Sequence, residues 1–187
     1  MSDFDLFAKA LRDLKTEASY SATSDETATT VRAVVRQSKA SSVVVAGLPP
    51  SVKSLVLSSL EDVKVIEAEK LDGREAIVAI SGADLGITWA ANGLVKEGAL
   101  LEVTRDDAAK LASSLPTAHI ALLSAKSLLP DLEAGMLEAG RIVASSAHPK
   151  PIISFIAGPS ETGDIEGRLL YGVHGPHSLS VVVLGWI

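Results

Sequence analysis

Cysteine is absent from the 187 residues. For this polypeptide that excludes thiolate-bound iron–sulfur clusters, thiolate zinc sites, thiol catalysis and disulfide scaffolds. Aromatic residues are scarce, at 4%, so stacking platforms for single-stranded nucleic acid are not expected. Basic residues are outnumbered, 17 Lys+Arg against 23 Asp+Glu, and no basic patch suited to a phosphate backbone stands out. The opening Met1-Ser2-Asp3-Phe4-Asp5 lacks the basic and apolar regions of a signal peptide. The least charged stretch, Leu169 to Ile187, is broken by His174, Gly175, Pro176 and His177, so no membrane span is expected. The expectation is a cytoplasmic protein with neither nucleic acid nor membrane as partner.

What is present is an ordinary globular composition, 47% apolar. A chain of this length buries roughly 70% of its unfolded surface on folding, enough for one core without a disulfide or structural metal. Phe4, Phe7, Leu11, Leu14 and Ala18 recur at helical spacing, which predicts an amphipathic helix over 3–18. Residues 19–26, rich in Ser and Thr, read as a loop. Asp25 is an N-cap candidate for a second helix to about Lys39.

The period then changes. Val43-Val44-Val45-Ala46 predicts a strand buried on both faces. Pro49-Pro50 start a helix to about Leu60, and strands are expected at 63–66, 84–88, 100–104, 119–123, 151–157 and 179–184. Residues 77–80 are ambiguous between helix and strand, while 107–115 and 130–139 read as helices. This alternation predicts an α/β fold, a mostly parallel sheet flanked by helices. Residues 1–40 then form an N-terminal helical extension and residues 41–187 the α/β domain.

Three segments could carry chemistry. Five of the 14 glycines lie between Gly158 and Gly175, where backbone must turn or approach something closely. Gly158-Pro159-Ser160-Glu161-Thr162-Gly163-Asp164-Ile165-Glu166-Gly167 follows an apolar strand, the usual ligand position in an open α/β sheet. Its hydroxyls and N–H groups suit an anion. Equally, Ser160 or Thr162 could cap a helix whose first turn holds Asp164. His174 and His177 flank a Gly-Pro turn; that spacing matches no metal motif, and a neutral His174 beside the Gly158 loop is the expectation. Glu97, before Gly98 and an apolar strand, is either a base or nucleophile or a solvated turn residue. Asp84 either accepts local N–H groups or faces a cleft.

Taken together, Asp84-Leu85-Gly86-Ile87-Thr88, Lys96-Glu97-Gly98-Ala99-Leu100, Leu115-Pro116-Thr117-Ala118-His119-Ile120 and the block from Gly158 to Glu166, followed by Gly172-Val173-His174-Gly175-Pro176, resemble the LUD-domain family, in its lactate-utilization protein C group. The resemblance covers roughly residues 40–187. It implies a fold like that of the NagB/RpiA/CoA-transferase group, shared with 5-formyltetrahydrofolate cyclo-ligase. It also implies a role in oxidation of L-lactate to pyruvate beside iron–sulfur proteins, with no cluster in this Cys-free chain. Which cofactor, if any, the chain itself uses is left open by the resemblance.

The family's polar positions fall on Asp84, Thr88, Glu97, Ser160, Thr162, Asp164, Glu166 and His174. Glu97 and His174 are then the catalytic candidates. Asp84, Thr88, Gly158, Ser160, Thr162, Asp164, Glu166 and Gly175 are the ligand-binding ones, with no metal. Two departures stand out: Glu97-Gly98-Ala99 replaces a longer Glu-Thr-Gly-Thr run, and Glu161 stands where Arg is frequent. A homodimer is the common oligomeric state. The alternative function is a stand-alone enzyme of the CoA-transferase-like group, taking a phosphate- or carboxylate-bearing ligand.

Overall fold

The computed structural model describes residues 1–163, 169–171 and 174–187. In chain order the elements are α1 (Asp3–Asp13), β1 (Glu17–Ser21), α2 (Ser24–Gln37), β2 (Ser42–Ala46), α3 (Pro50–Ser59), β3 (Lys64–Glu67), α4 (Gly73–Ser81), β4 (Leu85–Trp89), β5 (Asn92–Leu94) and β6 (Ala99–Thr104). Then follow α5 (Asp107–Ser114), β7 (Ala118–Ser124), β8 (Leu128–Leu129), α6 (Leu132–Ser145), β9 (Ile152–Ile156), β10 (Glu161–Gly163), β11 (Leu169–Tyr171) and β12 (Ser178–Leu184). The main sheet has the order β1-β12-β7-β4-β2-β3, with every pairing parallel. The expected mostly parallel α/β architecture is what the chain adopts.

Alternation along the strands distributes the core. Val43 and Val45 face α2 and α3, joining Val31, Val35, Val52 and Val56. Val44 and Ala46 point the other way, against Ala76 and Ile80 of α4 and Ala109 and Ala112 of α5. A side chain on a central parallel strand is covered on either face, which is why these strands are uninterrupted aliphatic runs. On that second face, Ala121, Leu123, Val181 and Val183 of β7 and β12 meet Phe7 and Leu11 of α1 and Leu100 of β6.

A second sheet, β8-β5-β6-β9, overlies this part of the main sheet. Its β5–β6 and β6–β9 pairings are antiparallel. The strands expected at 100–104 and 151–157 therefore form, but outside the parallel sheet. Half-exposed β9 is an edge strand rather than a strand buried on both faces. The ambiguous run at 77–80 is helical, within α4.

Residues 1–40 contribute directly to the body. Phe7 and Leu11 are fully buried, and burying each contributes ~1.5–3 kcal/mol. The Ser/Thr-rich stretch expected as a loop begins in β1, which pairs with β12 from Glu17↔Ser180 to Ser21↔Leu184. The cap of α2 is Thr23 rather than Asp25: its side chain accepts from Glu26 N–H.

Candidate functional site

Thr88 lies near the carboxyl end of β4, beside Ala46 at the end of β2. From β2 the chain proceeds to β3 on one side, while β4, on the other side, is reached by the following crossover. The loops leaving β2 and β4 consequently diverge, opening the crevice where ligands sit in doubly wound sheets. Here the crevice is about 300 Å³, lined by Gly47, Thr88, Trp89, Glu102, Thr104 and Arg105, among others. Gly47 has φ +67°, a backbone conformation that favours glycine, and its N–H donates to Glu69 Oε1 at 2.8 Å.

At its base is a carboxyl group taken out of water. Glu102 is 1% exposed, although it sits in a strand of otherwise aliphatic and hydroxyl side chains. Thr88 Oγ1 donates to Glu102 Oε1 at 3.0 Å, and Ser113 Oγ of α5 donates to Oε2 at 2.8 Å. Lys110 Nζ stands 3.9 Å from the same Oε2. Burial pushes the Glu102 carboxyl above its ordinary range, against the pull of Ser113, Thr88 and Lys110, because desolvation disfavours the charged form.

Thr88 Oγ1 also lies 2.8 Å from His119 Nε2. His119 is buried, on the strand next to β4, and burial with the nearby Lys110 charge brings its pKa down to about 3. The imidazole is thus neutral at pH 7. With Glu102 ionised, Nε2–H donates to Thr88, whose hydroxyl donates to Glu102. When Glu102 holds a proton and His119 is the Nδ1–H tautomer, the two bonds run the other way, Glu102 donating to Thr88 and Thr88 to Nε2, with the heavy atoms in the same places. Neutral His, hydroxyl and carboxyl in a dry pocket form an acid–base set.

Small residues make this possible. A Cβ on Gly86 would lie 1.9 Å from the Ala112 carbonyl oxygen, so only glycine lets α5 settle onto β4. That approach brings Ser113 and Lys110 to Glu102. Asp106 caps α5, accepting from Ala109 N–H at 2.7 Å, which places the helix start at the crevice mouth.

The residues singled out from sequence divide among several places. Thr88 is in the crevice. Asp84 is at the opposite, amino end of β4. Its Oδ2 accepts from the N–H and hydroxyl of Ser41 at 2.9 and 2.8 Å and of Ser42, both at 2.9 Å. These bonds, led by the Ser41 hydroxyl, draw its pKa down to about 2. Glu97 is in the turn between β5 and β6, with Oε2 buried and unpartnered. The adjoining Gly98 touches Ala10 and Leu11 of α1.

Ser160, His174 and Gly175 do meet: Ser160 Oγ accepts from His174 N–H at 3.3 Å, Ser160 N–H donates to the Pro176 carbonyl at 2.9 Å, and Gly175 faces Ser160 Cβ. Gly158, at φ +101°, sits against the Leu14 carbonyl at the end of α1. The helix expected to start at Ser160 or Thr162 is replaced by β10, because Glu161–Gly163 pair with Leu169–Tyr171. Thr162 is described here by its backbone alone; Asp164 and Glu166 lie outside the described residues.

Glu102, Thr104, Arg105, Lys110, Ser113 and His119 were not among the sequence candidates. The available signal was one acidic residue inside the run Leu100-Leu101-Glu102-Val103 and one histidine opening the run from Ile120 to Leu123. A charge in such a run is either at an edge or purposefully paired.

The LUD domain model matches residues 4–184, and the chain belongs to the LUD-domain family. It is 35% identical over 124 residues to lactate utilization protein C of Anoxybacillus flavithermus, covering 66% of this chain and 53% of that protein. With the protein of the same name from Halalkalibacterium halodurans it shares 32% over 113 residues, covering 60% and 49%. The Bacillus subtilis protein of that name is 29% identical over 124 residues, covering 66% and 52%. The chain thus spans about half the length of the curated relatives it matches. The crystal structure of a DUF162 family protein from Deinococcus radiodurans shares the fold, with a TM-score of 0.68 at 17% identity over 99% of both chains.

Proposed function

We propose that this LUD-domain chain serves lactate utilization in the cytoplasm, as a protein C-like subunit supporting oxidation of L-lactate to pyruvate together with iron–sulfur partner proteins. The observation that carries this reading is the 35% identity to lactate utilization protein C. Lacking cysteine, the chain cannot bind clusters through thiolates, so electron transfer falls to the partners. Its own part is to bind a ligand in the crevice at Thr88 and Glu102.

Within this reading, the loop from Gly158 with Ser160, Thr162, Asp164, Glu166, His174 and Gly175 is a second binding surface, seated on the end of α1. Glu97 and Asp84 act at a distance from the crevice, Glu97 through the turn packed on α1 and Asp84 through the amino ends of β2 and β4. Growth on L-lactate of a strain deleted for this chain, with and without its restoration, tests the role. Loss and recovery of growth, with iron–sulfur proteins retained on a tagged chain, is the expected outcome. Unimpaired growth of the deleted strain overturns it.

One observation favours a second reading, an enzyme of the CoA-transferase-like group acting alone. A buried carboxyl group at a ligand crevice is the equipment of acyl chemistry. Thermal-shift measurements with CoA esters, ATP and phosphate separate the two readings. A ligand at ~100 times its Kd stabilises by ~2.7 kcal/mol, so a shift with a CoA ester, in a strain that still grows on lactate without this chain, favours the enzyme.

A further inference from the structure

The four edges of the two larger sheets are not protected alike. An open strand edge is a row of free N–H and C=O groups, and folded proteins blunt it with charge, proline, shortness or a covering element. β1 begins with Glu17 and is flanked by α1 and α2. β3 holds Lys64 and Glu67, the latter paired with Lys53 and Lys70. β8 is two residues long and is followed by Pro130. β9, Ile152-Ile153-Ser154-Phe155-Ile156, has no such guard: it carries no charge, and Phe155 is 38% exposed. The neighbouring cation is drawn away, Lys150 Nζ donating to the Val143 and Ser146 carbonyls at the end of α6, both at 2.8 Å. Among the described residues, nothing pairs with the outer side of β9.

The ladder fixes which groups that side offers. Phe155 stands opposite Leu101 of β6. The Leu101 carbonyl accepts from Ala91 N–H, on the β5 side, so Leu101 and Phe155 form a non-hydrogen-bonded pair and Phe155 turns its own N–H and C=O to the free edge. Ile153, two residues earlier, does the same. Both side chains project from the sheet face that α6 covers, because Gly135 of α6 is packed against Leu94, and Leu94 stands opposite Ala99. Exposed Leu132, Met136 and Gly140, four residues apart on α6, belong to that same outer layer.

We propose that β9 is the seat of a two-fold dimer, in which the β9 strands of two copies of this chain pair antiparallel about Ser154. Ile153 of each copy then exchanges two backbone hydrogen bonds with Phe155 of the other, Ile152 faces Ile156, and Ser154 faces Ser154. A second copy is the occupant because the strand is complementary to itself in this register. Each opposed pair is apolar or hydroxyl, and the two Lys150 side chains fall at opposite ends, so no charge meets its like. Pro151, which has no N–H, and Gly158, where the chain turns at φ +101°, limit the pairing to these residues. The two four-stranded sheets become one of eight, and the edge is consumed, so assembly stops at two. Since a strand pair alone falls short of the roughly 1,200 Å² of a stable interface, the exposed apolar residues of α6 extend it. The dimer is independent of the crevice and of the role in lactate utilization.

The test uses the whole purified chain. Light scattering at micromolar concentration is expected to give twice the 19.4 kDa of one chain. Phe155→Pro removes an outward N–H and keeps the bonds to β6; with two interface hydrogen bonds lost, the dimer dissociation constant should rise on the order of tenfold to a hundredfold. The absence of native cysteine makes a second variant specific. Across the two-fold the Cα atoms of residue 154 lie about 4.5 Å apart, within disulfide reach, so oxidised Ser154→Cys should run as a covalent dimer. Ile152→Cys should not, because its two copies stand about 14 Å apart along the strands. The crosslinks decide the matter even if Phe155→Pro fails to fold. A single-chain mass for the wild type, a dimer that a folded Phe155→Pro leaves intact, no disulfide in Ser154→Cys, or equal crosslinking of Ile152→Cys overturns the proposal.

Discussion

Gly86 and Ala112 meet backbone to backbone: a methyl group at 86 would sit 1.9 Å from the Ala112 carbonyl oxygen. Strand and helix approach so closely only because the glycine is bare, and the contact sets the distance at which α5 holds Lys110 and Ser113 over Glu102. Gly86→Ala is expected to destabilise by about 2–4 kcal/mol, since neither backbone can yield without moving the helix. Urea unfolding checks the magnitude, and loss of crevice binding at concentrations where the variant is folded checks the link to the site.

His119 carries a pH signature. Its pKa of about 3 lies below the ordinary 6.5, so the unfolded chain takes up a proton that the folded chain refuses. Stability is full above pH 6.5 and falls as pH drops from there toward 3, by at most about 1.4 kcal/mol per unit. Glu102 acts in the opposite sense, because a raised carboxyl pKa favours folding as pH falls. Melting midpoints from pH 7 to pH 4.5 should therefore drop less steeply in His119→Gln and more steeply in Glu102→Gln than in wild type.

Asp84 titrates in a lower window. Its depressed pKa, about 2 against an ordinary 3.8, adds stability that is present above pH 4 and disappears between pH 4 and pH 2. Asp84→Asn keeps the shape but cannot accept all four bonds from Ser41 and Ser42. It should cost about 1–3 kcal/mol at pH 7, the scale for hydrogen bonds to a charged group, and nearly nothing at pH 2. Equal losses at both pH values would mean that shape rather than charge holds the amino ends of β2 and β4 together.

Two aspartates do the same local task in different places. Asp106 caps α5 at the crevice and Asp131 caps α6 away from it, accepting from Ala109 and Ala134 N–H respectively. Replacing either by Ala should cost about 1 kcal/mol. Only Asp106→Ala should also alter ligand binding, which separates cap from site in one paired measurement.

Trp89 lines the crevice and Trp186 donates from Nε1 to Thr27 Oγ1 at 2.9 Å elsewhere in the fold. Ligand-induced change in tryptophan emission should survive Trp186→Phe and vanish in Trp89→Phe.

Local pattern sufficed for much of the parallel sheet. Val43–Ala46 and the run ending in Leu184 are strands because continuous aliphatic residues need cover on both faces, and Pro50 opens α3 where its fixed φ suits a first turn. Which sheet a strand joins is not local. Leu100–Thr104 and Ile152–Ile156 look like further parallel strands until their antiparallel partners are known. β1 was hidden because Ser19 and Ser21 carry the composition of a loop; pairing with β12 outweighs it. The site was hidden for the same reason. Glu102, Thr88 and His119 come from three separate strands, and only their assembly turns a stray acid, hydroxyl and imidazole into a connected set.

The edge formed by Glu17 to Ser21 has one neighbour in the main sheet, and that neighbour is Ser180 to Leu184. On a ribosome, β1 must wait for a strand made more than 150 residues later. At ~5–20 residues per second that delay is on the order of ten seconds or more, during which residues 17–21 lack the strand they pair with. Closing so long a loop is entropically slow. The finished protein therefore brings these two strands of its sheet together late, and a nascent chain halted before residue 178 would still present residues 17–21 without the strand that pairs with them.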